Sequence, residues 1–118
     1  MARILIVDDA RVMRMVLRNM FEKAGHEIVG EATDGVEAVQ MYSELNPDLV
    51  TMDIQMANGD GITSMEQIIR LDSEARVIIV SALHGEKESE ARNLGAVGYL
   101  DKPFRPDDLA RQTQIALA

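Results

Sequence analysis

The sequence predicts an α/β fold in which a doubly wound, five-stranded parallel sheet is covered by five helices. Short runs rich in Val, Ile and Leu alternate with longer segments whose apolar residues follow the helical period. Signals for helix ends separate these segments. The length of 118 residues suits one domain, so we expect parallel strands joined by right-handed helical crossovers.

The short apolar runs are the predicted strands, and the segments between them are the predicted helices. The strands comprise residues 3 to 7, 27 to 32, 49 to 52, 76 to 80 and 97 to 100. Three helices have a clear apolar face, formed by Met13, Leu17, Met20, Phe21 and Ala24, by Ala38, Met41, Tyr42 and Leu45, and by Ile62, Met65 and Ile69. Gly25 is placed to end the first helix, Asn46-Pro47 the second and Gly95 the fourth.

The fourth helix, predicted over residues 86 to 94, differs from the others because it offers few side chains for burial. Only Ala91 and Leu94 are apolar and placed to pack inward. Elements that bury little apolar surface lie at the low-stability end of a protein and are the ones that a ligand shifts most easily. We therefore expect this helix to be the moving part.

Composition and charge exclude several classes of protein. Hydrophobic residues make up 47% of the chain and charged residues 27%, as in a globular domain. The formal net charge of -8 disfavours direct nucleic-acid binding, which needs clustered Lys and Arg. The absence of cysteine, of a long apolar stretch and of a signal peptide makes a cytoplasmic location and no membrane contact the expectation.

Acidic residues follow two of the predicted strands, and a lysine follows a third. Asp8 and Asp9 come after the first strand, Asp53 after the third, and Lys102 shortly after the fifth. The carboxyl ends of parallel strands share one edge of a sheet, where such folds bind ligands. Carboxylates about 4 Å apart repel by roughly 4 kcal/mol, so the cluster requires a cation or protons. Mg²⁺ is the natural candidate because it favours oxygen ligands and leaves positions free for phosphate.

These residues stand in motifs that resemble those of response-regulator receiver domains, most closely the CheY-like single-domain chemotaxis regulators. The matching segments stand in the family's order and are spread over nearly the whole chain, at residues 4 to 9, 52 to 54, 60 to 61, 80 to 82 and 98 to 104. The resemblance implies one receiver domain over residues 1 to 118, a flavodoxin-like fold and the strand order 2-1-3-4-5. It also implies a role in two-component signal transduction.

The resemblance implies a role for each residue of the cluster. Asp53 corresponds to the phosphoacceptor, and Lys102 to the cation that contacts the phosphoryl oxygens. Asp8, Asp9 and Asp53, with the main-chain carbonyl of Gln55, correspond to the Mg²⁺ site, where Asp8 acts mostly through water. Phosphoryl transfer depends on positioning and positive charge, which such a cluster supplies.

Two further residues correspond to the switch that reports phosphorylation. Ser81 is expected to swing toward the phosphoryl group and Tyr99 then to turn inward, which alters the face made by the fourth helix, fifth strand and fifth helix. The implied phosphate donor is a sensor histidine kinase or a phosphotransfer protein. The implied target is a downstream protein such as a flagellar motor switch or an output domain.

Each residue also has an ordinary structural explanation. Asp8 and Asp9 could cap the first helix, Asp53 could be a strand-end loop residue, and Lys102 could be a solvated turn lysine. Ser81 could bond only local backbone, and Tyr99 could be packing alone.

Other classes of protein share parts of this pattern. A haloacid-dehalogenase-like phosphatase would carry a second carboxylate where Gln55 stands. A flavodoxin-like electron carrier would cradle phosphate where Asp8 and Asp9 would repel it. The chain could also be a receiver cut from a larger regulator, or an adaptor receiver that is never phosphorylated.

The sequence departs from the family pattern at two positions after Asp53. Ala57 replaces a usual proline and Gly59 a usual bulky apolar residue, so we expect a looser loop over residues 54 to 61. His26 and His84 have no second histidine at ligand spacing and are expected to be structural or solvated.

Overall fold

Strands and helices alternate along the chain. The structure is a computed structural model that describes residues 1 to 57 and 59 to 118. Counting only the main sheet, the strands are β1 (Arg3–Val7), β2 (Glu27–Ala32), β3 (Leu49–Asp53), β4 (Val77–Ser81) and β5 (Gly98–Asp101). The helices are α1 (Arg11–Lys23), α2 (Gly35–Leu45), α3 (Gly61–Leu71), α4 (Glu88–Asn93) and α5 (Pro106–Leu117).

The sheet has the order β2-β1-β3-β4-β5, and all its neighbouring strands are parallel. This arrangement confirms the predicted fold class and strand order. The last three strands each end one residue later than predicted, at Asp53, Ser81 and Asp101. The apolar pattern stops at these polar residues, but their backbones continue the pairing with the neighbouring strand.

Each face of the sheet packs against its own helices. On one face, Leu5 and Val7 belong to a buried cluster with side chains of α2, α3 and α4. On the other, Ile4 and Ile6 pack with side chains of α1 and α5. The sheet is therefore covered on both sides, as expected of a doubly wound fold, and its carboxyl edge is left for the site.

The predicted helix ends are confirmed by the backbone. Gly25, Asn46 and Gly95 have positive φ angles of 88°, 51° and 117°, and each follows the end of a helix. Ala24 was expected on the buried face of α1 but is exposed, because it lies at the C-cap rather than within the helix.

Helix α4 is shorter and less buried than predicted. It begins at Glu88, because residues 84 to 87 form turns instead of helix. Ala91 is fully buried, but Leu94, predicted to pack inward, is 36% exposed because it lies at the C-cap after the last helical residue. Within the described residues, Ala91 is thus the one buried side chain of α4.

The two histidines have no role in the cluster at the carboxyl edge. His26 Nδ1 accepts a hydrogen bond from the Ala2 N–H at 3.0 Å, and its ring meets that of Phe21 edge-on. His84 is exposed. Across the described part of the chain, no helix has the length and apolar character needed to cross a membrane.

Candidate functional site

The three predicted carboxylates meet at the carboxyl edge of the sheet. Oxygen atoms of Asp8, Asp9 and Asp53 all lie within 4.8 Å of one another. Strands β1 and β3 are neighbours, and the pairing of Val7 with Met52 places the residues that follow them side by side. Asp8 is 1% exposed and Asp53 6% exposed, whereas Asp9 faces solvent.

Lys102 joins this cluster from the end of β5. Its Nζ lies 3.0 Å from Asp8 Oδ2 and 3.4 Å from Asp53 Oδ1. Its main-chain N–H donates to the carbonyl of Ser81 at 2.7 Å, which fixes its backbone against β4. The bond from Lys102 to Pro103, whose isomer the sequence leaves open, is cis. Lys102 is therefore not a solvated turn lysine.

The cluster carries more negative charge than Lys102 neutralises. Burial raises the pKa of Asp53 to about 6, and repulsion from Asp8 and Asp9 adds to the effect, while Lys102 opposes it. A carboxyl with such a pKa gains from a further nearby cation. The three converging oxygen donors thus fit a hard divalent cation such as Mg²⁺.

Backbone groups hold two of the carboxylates in place. Asp8 Oδ1 accepts a hydrogen bond from the Ala10 N–H at 2.8 Å, and Asp9 Oδ2 accepts one from the Ala57 N–H at 3.3 Å. The N-cap of α1 is Ala10, which has no side-chain cap. Asp8 and Asp9 therefore point into the cluster instead of capping the helix.

The loop after Asp53 contains two short strands. Gln55–Met56 pairs antiparallel with Gly59–Asp60, and the side chain of Gln55 is exposed. The ligand role of the Gln55 carbonyl stays a prediction, as does the looseness expected for residues 54 to 61. Asn58, within that segment, lies outside the described residues.

Ser81 and Tyr99, the predicted switch residues, lie on neighbouring strands. Ser81 is buried, and its Oγ accepts a hydrogen bond from the Leu83 N–H at 3.0 Å. Tyr99 is 5% exposed, and its hydroxyl has no hydrogen-bond partner among the described residues. The ring of Tyr99 thus already lies inside in this structure, and the coupled movement of Ser81 and Tyr99 on phosphorylation stays a prediction.

Two residues near the site were given no role by the sequence. Gly61 lies so close to the main-chain carbonyl of Asp53 that a side chain there would collide with it. Asp101 Oδ1 accepts a hydrogen bond from the Gly85 N–H at 2.7 Å and so ties the β4–α4 loop to β5. The sequence offered one signal that could have identified these two residues, which is their place in the family motifs. Gly61 follows Asp60 in one motif, and Asp101 directly precedes Lys102 in another.

Comparison with known proteins agrees with this geometry. The family described as response regulator receiver domain matches residues 4 to 114. The chemotaxis protein CheY of Thermotoga maritima is 48% identical over 106 residues, 88% of each chain. The chemotaxis protein CheY of Bacillus subtilis is 47% identical over 107 residues, 89% of this chain and 88% of that protein.

Solved structures show the same similarity. A chain of the CheX-CheY-BeF3-Mg+2 complex from Borrelia burgdorferi superimposes with a TM-score of 0.94 at 34% identity, over 98% of this chain and 89% of that one. The chain belongs to the response-regulator receiver family. It is a receiver of two-component signal transduction, and its family is one of phosphoacceptor signalling domains. The family match favours this class over a haloacid-dehalogenase-like phosphatase or a flavodoxin-like electron carrier.

Proposed function

We propose that Asp53 accepts a phosphoryl group from a sensor histidine kinase or phosphotransfer protein in a Mg²⁺-dependent reaction. The observation that carries the proposal is the meeting of Asp8, Asp9 and Asp53 within 4.8 Å, with Lys102 bridging Asp8 and Asp53. One receiver domain over residues 1 to 118 and a cytoplasmic location belong to the same proposal.

Each residue of the cluster has a task in this reaction. An oxygen of Asp53 forms a bond to phosphorus while the bond from phosphorus to the donor breaks. Water later attacks the phosphorus, the bond from phosphorus to the Asp53 oxygen breaks, and the carboxylate is restored as inorganic phosphate leaves. Lys102, 3.4 Å from Asp53, is placed to contact the phosphoryl oxygens. Asp8, Asp9 and Asp53, with the carbonyl of Gln55, would hold Mg²⁺. When bound, Mg²⁺ supplies positive charge to the phosphoryl group.

The same proposal includes an output at the face formed by α4, β5 and α5. Ser81 releases the Leu83 N–H and turns its hydroxyl toward the phosphoryl group, which shifts the β4–α4 loop. Helix α4 buries only Ala91 among its described side chains, so a small bias suffices to move it. The buried Tyr99 on β5 responds to this shift.

We further propose that the signal belongs to chemotaxis or motility, with a downstream protein such as a flagellar motor switch or an output domain as the target. The support is that the Thermotoga and Bacillus relatives, nearly half identical, are chemotaxis proteins. The Borrelia structure contains CheY with a protein partner, CheX. Direct contact with nucleic acid or membrane is not part of this proposal.

Incubation with acetyl phosphate tests the phosphoryl transfer. Intact-mass measurement should show one added phosphoryl group with Mg²⁺ and none after chelation. Asp53→Asn should abolish the addition. Asp48→Asn is the matched control, because Asp48 precedes the same strand at its opposite end, and among the described residues its side chain accepts a hydrogen bond from the Arg3 N–H alone. Uptake by Asp53→Asn at the wild-type rate would contradict the proposal, and no uptake by the wild type would favour an adaptor receiver.

A further inference from the structure

Arg14 on α1 reaches the backbone of the acidic cluster from outside it. Its Nη1 donates a hydrogen bond to the main-chain carbonyl of Asp8 at 2.8 Å. Its Nε donates to Glu31 Oε1 on β2 at 3.0 Å, and its side chain is 15% exposed. One guanidinium therefore connects α1, the end of β1 and the edge strand β2.

Glu31 orients Arg14. Its other oxygen accepts hydrogen bonds from Arg18 Nε and Nη2, at 2.8 and 2.6 Å, so each carboxylate oxygen has its own arginine. Burial alone would raise the pKa of Glu31, but the hydrogen bonds from Arg18 and Arg14 lower it below its ordinary value. Glu31 is thus an anionic anchor at neutral pH.

The carbonyl that Arg14 contacts belongs to the peptide group that joins Asp8 to Asp9. A peptide group is planar, so a hydrogen bond that orients its carbonyl also sets the direction in which the chain enters Asp9. Asp8 is held at three further points, by its N–H to the Ala32 carbonyl at 3.1 Å and by its two carboxylate oxygens. Asp9, by contrast, is exposed, and among the described residues its carboxylate has a single long hydrogen bond of 3.3 Å.

We propose that Arg14, oriented by Glu31, is a positioning residue that fixes the Asp8–Asp9 peptide so that both carboxylates converge with Asp53 in the state that binds Mg²⁺. The inference rests on the proposed function and extends it to a residue outside the cluster. A hydrogen bond from a charged donor is among the stronger ones in proteins, which suits a group that must hold backbone against the repulsion of like charges.

Magnesium titration by calorimetry, well below the unfolding temperature, tests this role. Arg14→Ala should weaken Mg²⁺ binding by about tenfold, the lower end of the effect seen for residues that orient metal ligands. Arg14→Lys should lose less Mg²⁺ affinity than Arg14→Ala, because the lysine ammonium can still donate a hydrogen bond to the Asp8 carbonyl. Arg18→Ala is the matched control, since Arg18 also binds Glu31 but, in the part of the chain that the structure describes, makes no hydrogen bond to Asp8. The Mg²⁺ affinity of this variant should equal that of the wild type.

A metal-free measurement separates positioning from general stability. In the apo protein, the amide chemical shifts of Asp9 and Ala10 should move in Arg14→Ala and stay in place in Arg18→Ala. At saturating Mg²⁺, phosphorylation of Arg14→Ala by acetyl phosphate should recover toward the wild-type rate. Should Arg14→Ala fail to fold, Arg14→Lys carries the same comparison.

The outcomes distinguish the two proposals. If the wild type neither binds Mg²⁺ nor takes up phosphate, the proposed function and this inference both fall. If the wild type does both while Arg14→Ala binds Mg²⁺ as tightly, with unchanged Asp9 and Ala10 amides, only the role of Arg14 is overturned. An equal loss of affinity in Arg14→Ala and Arg18→Ala would likewise overturn it, because the loss would then follow the ion pairs with Glu31.

Discussion

Gly61 lies directly against the main-chain carbonyl of Asp53. A Cβ built on Gly61 would overlap that oxygen, and it would also press on the Ile54 backbone. The Gly61 N–H donates to the Ile54 carbonyl at 2.9 Å, so the start of α3 is fastened to the end of β3. The backbone of the candidate phosphoacceptor is thus positioned by a residue with no side chain.

We expect Gly61→Ala to destabilise the protein by about 1 to 3 kcal/mol, because the obstacle is backbone that cannot move aside. Thermal melts should show a fall of about 4 °C for each kcal/mol. Gly30→Ala is the control, since a Cβ there meets the flexible ends of Leu45 and Met41. Equal melting temperatures for the two variants would refute the explanation.

The buried Asp53 should make the metal-free protein less stable as the pH rises. Its pKa is about 6 in the fold against 3.8 for an ordinary Asp, so the folded state binds the proton more tightly. The contribution of this group to stability therefore falls as the pH rises from about 4 to about 6, by up to roughly 3 kcal/mol. Asp53→Asn should flatten this slope in urea titrations, and Mg²⁺ should restore stability at neutral pH. An identical slope in the variant would exclude Asp53 as its source.

Removing a carboxylate should have opposite effects at Asp8 and Asp9. Asp9 is exposed, and an Asn at this position can still accept the hydrogen bond from the Ala57 N–H. Because Asp9→Asn removes repulsion between carboxylates, it should stabilise the metal-free protein by a few tenths to about 1 kcal/mol. Asp8 is buried and pairs with Lys102, so Asp8→Asn should destabilise it by about 1 to 3 kcal/mol. Thermal melts of the two variants without metal measure these effects. When Mg²⁺ is added, the melting temperature of both variants should rise less than that of the wild type. A lower apo midpoint for Asp9→Asn would count against crowding of charge.

Asp101 should restrain the β4–α4 loop in the resting protein. Asp101→Ala removes the acceptor of the Gly85 N–H, so we expect faster hydrogen exchange of Gly85 and of residues 83 to 95. Asp101→Asn retains an acceptor oxygen and serves as the control. Exchange rates that are unchanged in Asp101→Ala would show that other contacts hold the loop.

Beryllium fluoride, which mimics the phosphoryl group, should change the environment of residues beyond the acidic cluster as well as that of the cluster itself. Phosphorylation adds about -1.5 to -2 charges and three acceptor oxygens, which favours a Ser81 hydroxyl turned away from the Leu83 N–H. Amide chemical shifts of Ser81, Tyr99 and residues 83 to 95 should move together, and Ser81→Ala should weaken the response. To move the equilibrium between the resting and switched conformations from 1:99 to 99:1, the phosphoryl group would have to favour the switched one by about 5.5 kcal/mol. We therefore expect a partial shift of the two populations. Movement confined to residues around Asp53 would disprove the coupling.

The sequence was sufficient to predict the residues that meet at the ends of the strands. It was not sufficient to predict contacts that depend on how the helices pack against the sheet. Asp8, Asp53 and Lys102 come at or just after the ends of strands whose apolar runs are unmistakable, and parallel pairing of these strands brings the three residues together. The inward ring of Tyr99 depends instead on how the elements around β5 pack, which no periodicity records. The reach of Arg14 to the Asp8 carbonyl likewise requires the distance between α1 and β1.

Among the described residues, the methyl group of Ala91 is the one buried side chain of α4, which separates the requirements of folding stability from those of partner binding on this helix. The side chains that a partner would meet on this helix contribute little to the hydrophobic core, so they can be replaced without unfolding the domain. If the proposed function holds, partner recognition on α4 can diversify while the proposed phosphate chemistry at the carboxyl edge of the sheet is retained. Duplicated copies of such a domain can acquire new binding partners through substitutions on the surface of α4 alone.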